Sequence, residues 1–307
     1  MRILYVAKHD QPNTADDEGA IMHALRELGH DVQPLREVRG SLVPKVEADL
    51  LLSHCWHDAG LADRAKVKAR VFWYFDLVDW PADPTLAKRC AARVAWVRDA
   101  TRRYDLGFCT DGDWVANDKS GKLTWLPQGA DERVVGFGEA VEHRCEHCGQ
   151  SVGEPDILFT GIGRGGGQQR ESFVADMRAR WGNRFRHIER GVHGRQLADL
   201  IASVKVVVAP DSPVTDRYWS NRAWNALGFG ACLLHPWSEG LSRMYENCAE
   251  IELYTNREDM NNRLARILSA PDYRRVLGSN GLERTKREHL YRHRCERLIQ
   301  VVKERLF

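Results

Sequence analysis

Ten residues at 161–170, GIGRGGGQQR, place five glycines and two arginines between an apolar run and a helical pattern. Glycines at such a junction let the backbone approach a ligand closely, and the start of a helix offers unpaired N–H groups to an anion. Arg164 and Arg170 add guanidinium groups to the same loop. Gly161, Gly163 and Gly166 fit GxGxxG, and Glu189 ends the next apolar run, about where a ribose-binding acid stands in a dinucleotide fold. The loop lacks the GK[ST] ending of a P-loop. Three readings stay open on these residues: a nucleotide-diphosphate cradle, a flexible turn, or a nicotinamide or flavin site. The turn after the chain's first apolar run, KHDQPNTADDEG, carries no such glycines.

A second constellation is YWSNRAWNALGFGACLLHPWSEGL at 218–241. Ser220 or Asn221 can cap a helix containing Arg222 and Asn225, which lie three apart and share a face. HPWSEGL, with Glu239 and Gly240, follows the next apolar run, at the carboxyl edge where α/β sheets bind ligands. Singly these are capping and packing residues; together they describe the edge of a ligand cleft.

Acid–base candidates cluster where apolar runs end in the first half. Asp76 closes VFWYFD and is the leading candidate for a base at an acceptor hydroxyl. His54 ends LLLSH, and His9 and Asp17 follow the first run; Asp111 and Asp113 follow another. Each also reads as a cap or turn residue. Cys145 and Cys148, in HRCEHCGQ, have zinc-like spacing with His143 and His147 beside them. A structural zinc on Cys145, Cys148 and His143, two free thiols, or a redox pair all fit.

These groups need a scaffold, and the patterning supplies one. Short apolar runs at 3–7, 48–54, 71–76, 106–111 and 122–127 alternate with helical segments at 16–30 and 85–104. After a stretch with no clear period, strands at 156–161, 185–189, 204–210, 231–236 and 250–255 alternate with helices at 169–181, 196–204 and 219–230. Helices at 257–269, 272–287 and 291–306 finish the chain. Repeated strand–helix pairs imply parallel sheets with helices on both faces. The expected organisation is an acceptor domain over 1–135, a linker with the CxxC over 136–155, a nucleotide-sugar domain over 156–290 and a C-terminal helix over 291–307.

SNRAWNALGFGACLLHPWSEGL, EIELYTNREDMNNRLARIL and the ending HLYRHRCERLIQVV resemble the nucleotide-sugar domain of CgeB-like, group 1 glycosyltransferases. The resemblance implies the GT-B fold: two Rossmann-like domains facing across a cleft, with a helical tail. It implies a nucleotide-diphosphate sugar donor, UDP-sugar foremost, held by Gly161, Gly163, Arg164, Arg170, Ser220, Asn221, Arg222, Asn225, Glu239 and Gly240. The family usually carries Glu where this chain has Asn225, and another acid at Arg217. YWSNR, TDGDW and LPQGADER are further similar to phage glycosyltransferases of hydroxymethylated DNA pyrimidines, some associated with TET-type dioxygenases. That similarity implies 5-hydroxymethylpyrimidine DNA as acceptor, with a polysaccharide or small molecule as the alternative. Glycosyl transfer requires the departing nucleoside diphosphate to be stabilised as its charge develops, which arginines and helix N-termini do without a metal. The rivals are a dinucleotide-dependent oxidoreductase and a non-catalytic nucleotide-sugar binder.

The bulk properties agree with a folded two-domain chain. The 307 residues are 43% hydrophobic and 29% charged, which excludes a disordered or fibrous protein. The longest apolar stretch falls far short of a membrane span. Lys8 and His9 come too early for a signal peptide, so a cytoplasmic protein is expected. Net charge is +2, but residues 64–103 hold ten basic and four acidic side chains. With Trp73, Trp80 and Trp96 interleaved, that stretch reads either as a polyanion-facing patch or as a solvated helix face over core aromatics.

Overall fold

The computed structural model describes all residues except 9–15, 38–46, 55–58, 81–86, 137–155, 162–167, 190–191, 193 and 211–212. Two compact units result: Met1–Glu132 with Tyr291–Phe307, and Arg133–Leu290.

The first unit is built on β1 (Arg2–Ala7), α1 (Asp17–Glu27), β2 (Asp31–Arg36), β3 (Ala48–Ser53), α2 (Leu61–Arg64), β4 (Val67–Tyr74), α3 (Ala87–Arg103), β5 (Leu106–Cys109), α4 (Gly112–Ala116) and β6 (Leu123–Trp125). Its six strands pair in parallel in the order β2-β1-β3-β4-β5-β6. The central strands are buried on both faces, which is why they read as unbroken apolar runs. β2, DVQPLR, has no such run: it lies at the edge, half solvated, and tolerates Pro34 because an edge strand can spare an N–H.

The second unit comprises β7 (Ile157–Thr160), α5 (Gln168–Trp181), β8 (Phe185–Ile188), α6 (Gly194–Ala202), β9 (Val206–Val208), α7 (Asn221–Gly228), β10 (Leu233–Pro236), α8 (Glu239–Met244), β11 (Glu252–Tyr254), α9 (Arg257–Ser269) and α10 (Pro271–Glu288). Its strands are again parallel, in the order β11-β10-β9-β7-β8. The last helix, α11 (Tyr291–Leu306), packs its apolar stripe of Cys295, Leu298, Ile299 and Val302 into the core of the first unit, against α1.

Helix α10 lies close to the turn after α7 because it presents glycines there. A Cβ at Gly281 would stand 2.5 Å from the Glu250 carbonyl oxygen and 2.9 Å from Leu227. Gly281→Ala therefore forces the helix off its seat, and chemical denaturation should show a loss of about 1–3 kcal/mol.

Two of the three tryptophans of the basic stretch, Trp73 and Trp96, follow the core reading, while Trp80 is half-buried. Trp73 is buried and its indole N–H donates to the Leu126 carbonyl at 3.0 Å. Trp96 packs between Phe72 and Tyr74, with ring centroids 5.7 and 5.4 Å away. Several of the stretch's arginines are engaged internally: Arg70 donates to the Ala62 carbonyl at 2.8 Å, Arg93 pairs with Asp76, and Arg103 with Asp63 and Asp99.

Candidate functional site

An open parallel sheet binds ligands at the carboxyl edge where strand order reverses, because the two connecting segments there diverge to opposite faces and leave a crevice. In the second unit the chain runs from β7 outward to β8, then back past β7 to β9. The reversal therefore lies between β7 and β9.

Gly161 and Arg222, one from each arginine–glycine constellation, meet at this point. Gly161 follows β7 with φ +135°, a backbone state that side chains rarely adopt. Its N–H donates to the Ile188 carbonyl at 2.8 Å. Arg222, in the first turn of α7, reaches across: its Nε donates to the Thr160 carbonyl and its Nη1 to Ser220 Oγ at 2.8 Å. The guanidinium lies 5.1 Å over the Phe159 ring. His187 stacks on the same phenylalanine, centroids 4.9 Å apart and planes at 6°, and donates from Nε2 to the Gly161 carbonyl at 2.7 Å. Arg222 is thus fixed by hydrogen bonds and a cation–π contact, and its position is set before any ligand arrives. His187 was not legible as part of this arrangement, since FRHIE signals only a strand.

A Cβ at residue 161 would stand 2.6 Å from Arg222 Nη2. Gly161→Ala should therefore displace the guanidinium and lower affinity at least tenfold for an anion held at this point, read by calorimetric titration with UDP as the probe.

The remaining donor-side candidates have distinct placements. Ser220 is the N-cap residue of α7, and Asn221 opens the helix. Asn225 lies one turn further, its carbonyl accepting from the Phe229 N–H at 3.0 Å. Gly240 donates its N–H to the Asp216 carbonyl at 2.8 Å, and Ser238 Oγ donates to the same oxygen at 3.3 Å. The start of α8 therefore anchors the loop that leads into Ser220–Arg222. Glu239 turns its carboxylate to Arg243, at 2.7 and 3.0 Å, in an exposed pair. Arg170 stands in the first turn of α5. Gly163 and Arg164 lie outside the described residues.

In the first unit the order reverses between β1 and β3, by the same reasoning. His54, just past β3, is buried. Its backbone N–H donates to the Val6 carbonyl at 2.7 Å, and its Nδ1 lies 3.1 Å from the Trp73 carbonyl. A carbonyl only accepts, so Nδ1 carries the hydrogen and the neutral ring keeps its lone pair on Nε2. Burial pushes the imidazole pKa below its ordinary value, against the opposing pull of Glu18, whose Oε1 is 4.0 Å from Nε2. Phe75 meets the ring edge-on at 4.0 Å.

Asp17, at the start of α1, accepts from the Tyr291 hydroxyl at 2.7 Å. Burial raises its carboxyl from 3.8 to about 7, with Glu18 and Asp16 adding to the rise and the Tyr291 bond opposing it. The folded state then holds a proton that the unfolded chain releases near pH 4. Stability contributed by this group falls as pH rises from about 4 to about 7 and is level above that. Asp17→Asn keeps an acceptor for Tyr291 and should flatten that slope, raising the melting temperature at pH 8 by a few degrees in a thermal denaturation series.

Asp76 lies just past β4, one strand from the reversal, and ion-pairs with Arg93 of α3. Burial raises its carboxyl, and Arg93 pulls it back down. Asp111 is a capping residue: it accepts from Trp114 N–H and Val78 N–H, both at 2.9 Å. Asp113 lies within α4. His9 and the knuckle residues His143, Cys145, His147 and Cys148 lie outside the described residues. Among the described residues no group of three or more His, Cys, Asp or Glu could hold a metal ion. No helix among them is long and apolar enough to cross a membrane.

Residues 155–300 match the family model described as "Glycosyl transferase-like". Among solved structures, the sucrose-phosphate synthase of Thermosynechococcus elongatus is 14% identical with a TM-score of 0.69, covering 99% of this chain and 98% of that one. HepE of Anabaena, in complex with UDP and glucose, is 13% identical with a TM-score of 0.63, covering 99% and 100%. An E. coli structure described as trehalose-6-phosphate bound with UDP-2-fluoro glucose is 12% identical with a TM-score of 0.66, covering 99% of each chain. A search of curated proteins gives no match. The fold, two parallel α/β sheets with a helical C-terminal region, is that of the GT-B glycosyltransferases. The chain therefore shares the fold of these enzymes and, over residues 155–300, resembles glycosyltransferases in sequence.

Proposed function

We propose that the chain transfers a sugar from a UDP-sugar to a hydroxyl acceptor, using Arg222 at the leaving diphosphate and His54 as the base. The observation that carries this reading is the fixed guanidinium of Arg222 beside Gly161 at the β7/β9 reversal. As the bond between the sugar and the diphosphate breaks, negative charge grows on the departing oxygen, and a cation held in place lowers that barrier without a metal. Ser220 and Asn221 present the N-terminal turn of α7 to the same charge. Gly163, Arg164 and Arg170 belong to the same donor set by sequence, and Asn225 supplies an amide where the resemblance leads one to expect an acid. HepE and the E. coli relative were solved with UDP or a UDP-sugar, which favours UDP over other nucleotides.

On the acceptor side, Nε2 of His54 bears a lone pair and sits at the β1/β3 reversal of the first unit. It takes the acceptor proton in a direct displacement with inversion. Asp76 is the alternative base, and the guanidinium of Arg93 weakens it for that task. The acceptor is either a saccharide or small molecule, or a 5-hydroxymethylpyrimidine in DNA. The burial of Trp73 and the packing of Trp96 take two of the three tryptophans out of a nucleic-acid-facing role and favour the first class.

Thermal shifts with UDP and with NADPH separate the nucleotide classes: stabilisation by UDP is expected, and stabilisation by NADPH alone contradicts the reading. Slow hydrolysis of a UDP-sugar distinguishes an enzyme from a binder. Incubating UDP-sugars with hydroxymethylcytosine DNA and, in parallel, with mono- and oligosaccharides, then weighing the products, assigns the acceptor.

A further inference from the structure

The acceptor side of the site holds two hydrogen-bond acceptors side by side. The first is Nε2 of His54, on a side chain only 6% exposed whose Nδ1 donates to the Trp73 carbonyl. The second is Oε1 of Glu18, 4.0 Å away, on a side chain 18% exposed. That separation is longer than a hydrogen bond, and an imidazole lone pair and a carboxylate have no hydrogen to share. Among the described residues the Glu18 carboxylate accepts no hydrogen bond. Its neighbours are committed elsewhere: Asp16 caps α1, accepting from the Gly19 N–H at 2.7 Å, and Asp17 accepts from the Tyr291 hydroxyl at 2.7 Å.

Both groups stand where an open sheet binds its ligand. Helix α1 follows β1 and His54 lies just past β3, so the pair sits at the β1/β3 reversal. Lys8, past the end of β1, and Glu37, past β2, also act on the imidazole, the first against its charged form and the second for it. Two acceptors at this distance call for two donors. A lone hydroxyl carries a single hydrogen; given to Nε2, it leaves the carboxylate facing that hydroxyl's lone pairs, which it repels. Adjacent hydroxyls on one ring bring two hydrogens from oxygens held side by side. A water molecule also has two hydrogens, so such a pair can displace one with both bonds kept.

We propose that Glu18 binds the hydroxyl next to the one that His54 deprotonates, so that the acceptor is a vicinal diol, as on a sugar ring. The proposal rests on His54 being the base of the transferase reading. In the step itself the acceptor's proton goes to Nε2, the oxygen's electron pair forms the bond to the anomeric carbon, and UDP leaves with the pair of the bond that breaks. Glu18 stays ionised and holds the second hydroxyl. The full-length protein with UDP is titrated with methyl glucoside, methyl galactoside and methyl mannoside, and with the deoxynucleoside of hydroxymethylcytosine, whose hydroxyls are never on adjacent carbons. Histidine-selective nitrogen NMR follows the His54 ring, assigned as the signal missing from His54→Gln. At least one glycoside should shift that signal to saturation and bind tenfold or more tighter than the nucleoside. Among its monodeoxy analogues, two losses of tenfold or more should fall on adjacent carbons. Glu18→Gln and Glu18→Ala should each weaken it at least fivefold, with Glu18→Gln melting as the parent does. The proposal is overturned if no glycoside shifts the His54 signal, if the nucleoside binds equally well, if the deoxy losses fall on one hydroxyl or on non-adjacent ones, or if both Glu18 variants bind as the parent does. A glycoside bound through adjacent hydroxyls and Glu18, yet converted with no UDP-sugar, would refute the transferase reading and leave the diol site standing. Transfer that is sensitive to one hydroxyl alone would do the reverse.

Discussion

Arg222→Ala should lower kcat/KM for the sugar donor by about a hundredfold or more, equivalent to about 2.7 kcal/mol of lost transition-state stabilisation. The size follows from how the side chain is held. Its Nε and Nη1 bond Thr160 and Ser220, its plane lies over Phe159, and Nη2 borders Gly161. A charge so positioned has no reorganisation to undergo when the diphosphate departs. Arg222→Lys should recover little of the loss, because an ammonium cannot bond both Thr160 and Ser220 while facing the ligand. Steady-state kinetics across UDP-sugar concentrations checks both variants, and the melting temperature shows whether the fold survives.

The second large effect falls on the acceptor side. His54→Gln should lower kcat by about 10²–10⁴-fold, the range for removing a positioned general base, and leave UDP affinity nearly unchanged. The parent's rate should rise with pH through a limb below the ordinary histidine value, since burial depresses the pKa of this imidazole and only the neutral ring accepts a proton. That limb should vanish in the variant. Asp76→Asn is the comparison: a loss there as large as at His54, with the acid limb intact in His54→Gln, assigns the base to Asp76 instead.

Much of this arrangement was readable in the residues. The buried strands β1, β3, β4 and β5 are uninterrupted apolar runs because both their faces are covered, and a doubly covered strand has no other way to be written. Gly161 after β7 and the Ser220–Arg222 segment stood out in the sequence because a helix N-terminus restricts residue types, and Gly161 and Arg222 lie side by side. Four short elements escaped. β2 is a solvated edge strand containing Pro34; α2 is a four-residue helix with no side-chain cap, and α4 and α8 are helices of five and six residues set by capping at Asp111 and Ser238, which resembles an ordinary turn in one dimension.

The site was less legible than the fold, for a physical reason. Spacing reports what can share a helix face; it does not report which side chains meet across a sheet. Glu18 beside His54, and His187 behind Phe159, are contacts between separate strands and helices. Likewise nothing local marks Asp76 as the partner of Arg93, seventeen residues on. The bond from the Gly240 N–H to the Asp216 carbonyl is another contact that spacing does not report. Trp73 and Trp96 were ambiguous because a strand or helix tryptophan in a basic stretch has the same spelling whether it faces core or solvent.

The central claim is that the second unit holds a nucleoside diphosphate through Arg222 at the β7/β9 reversal. Calorimetric titration of the parent and the Arg222→Ala protein with UDP tests it most directly. The account requires saturable UDP binding by the parent and binding at least tenfold weaker in the variant at an unchanged melting temperature. Equal affinity in the two proteins, or a parent that does not bind UDP, would contradict it.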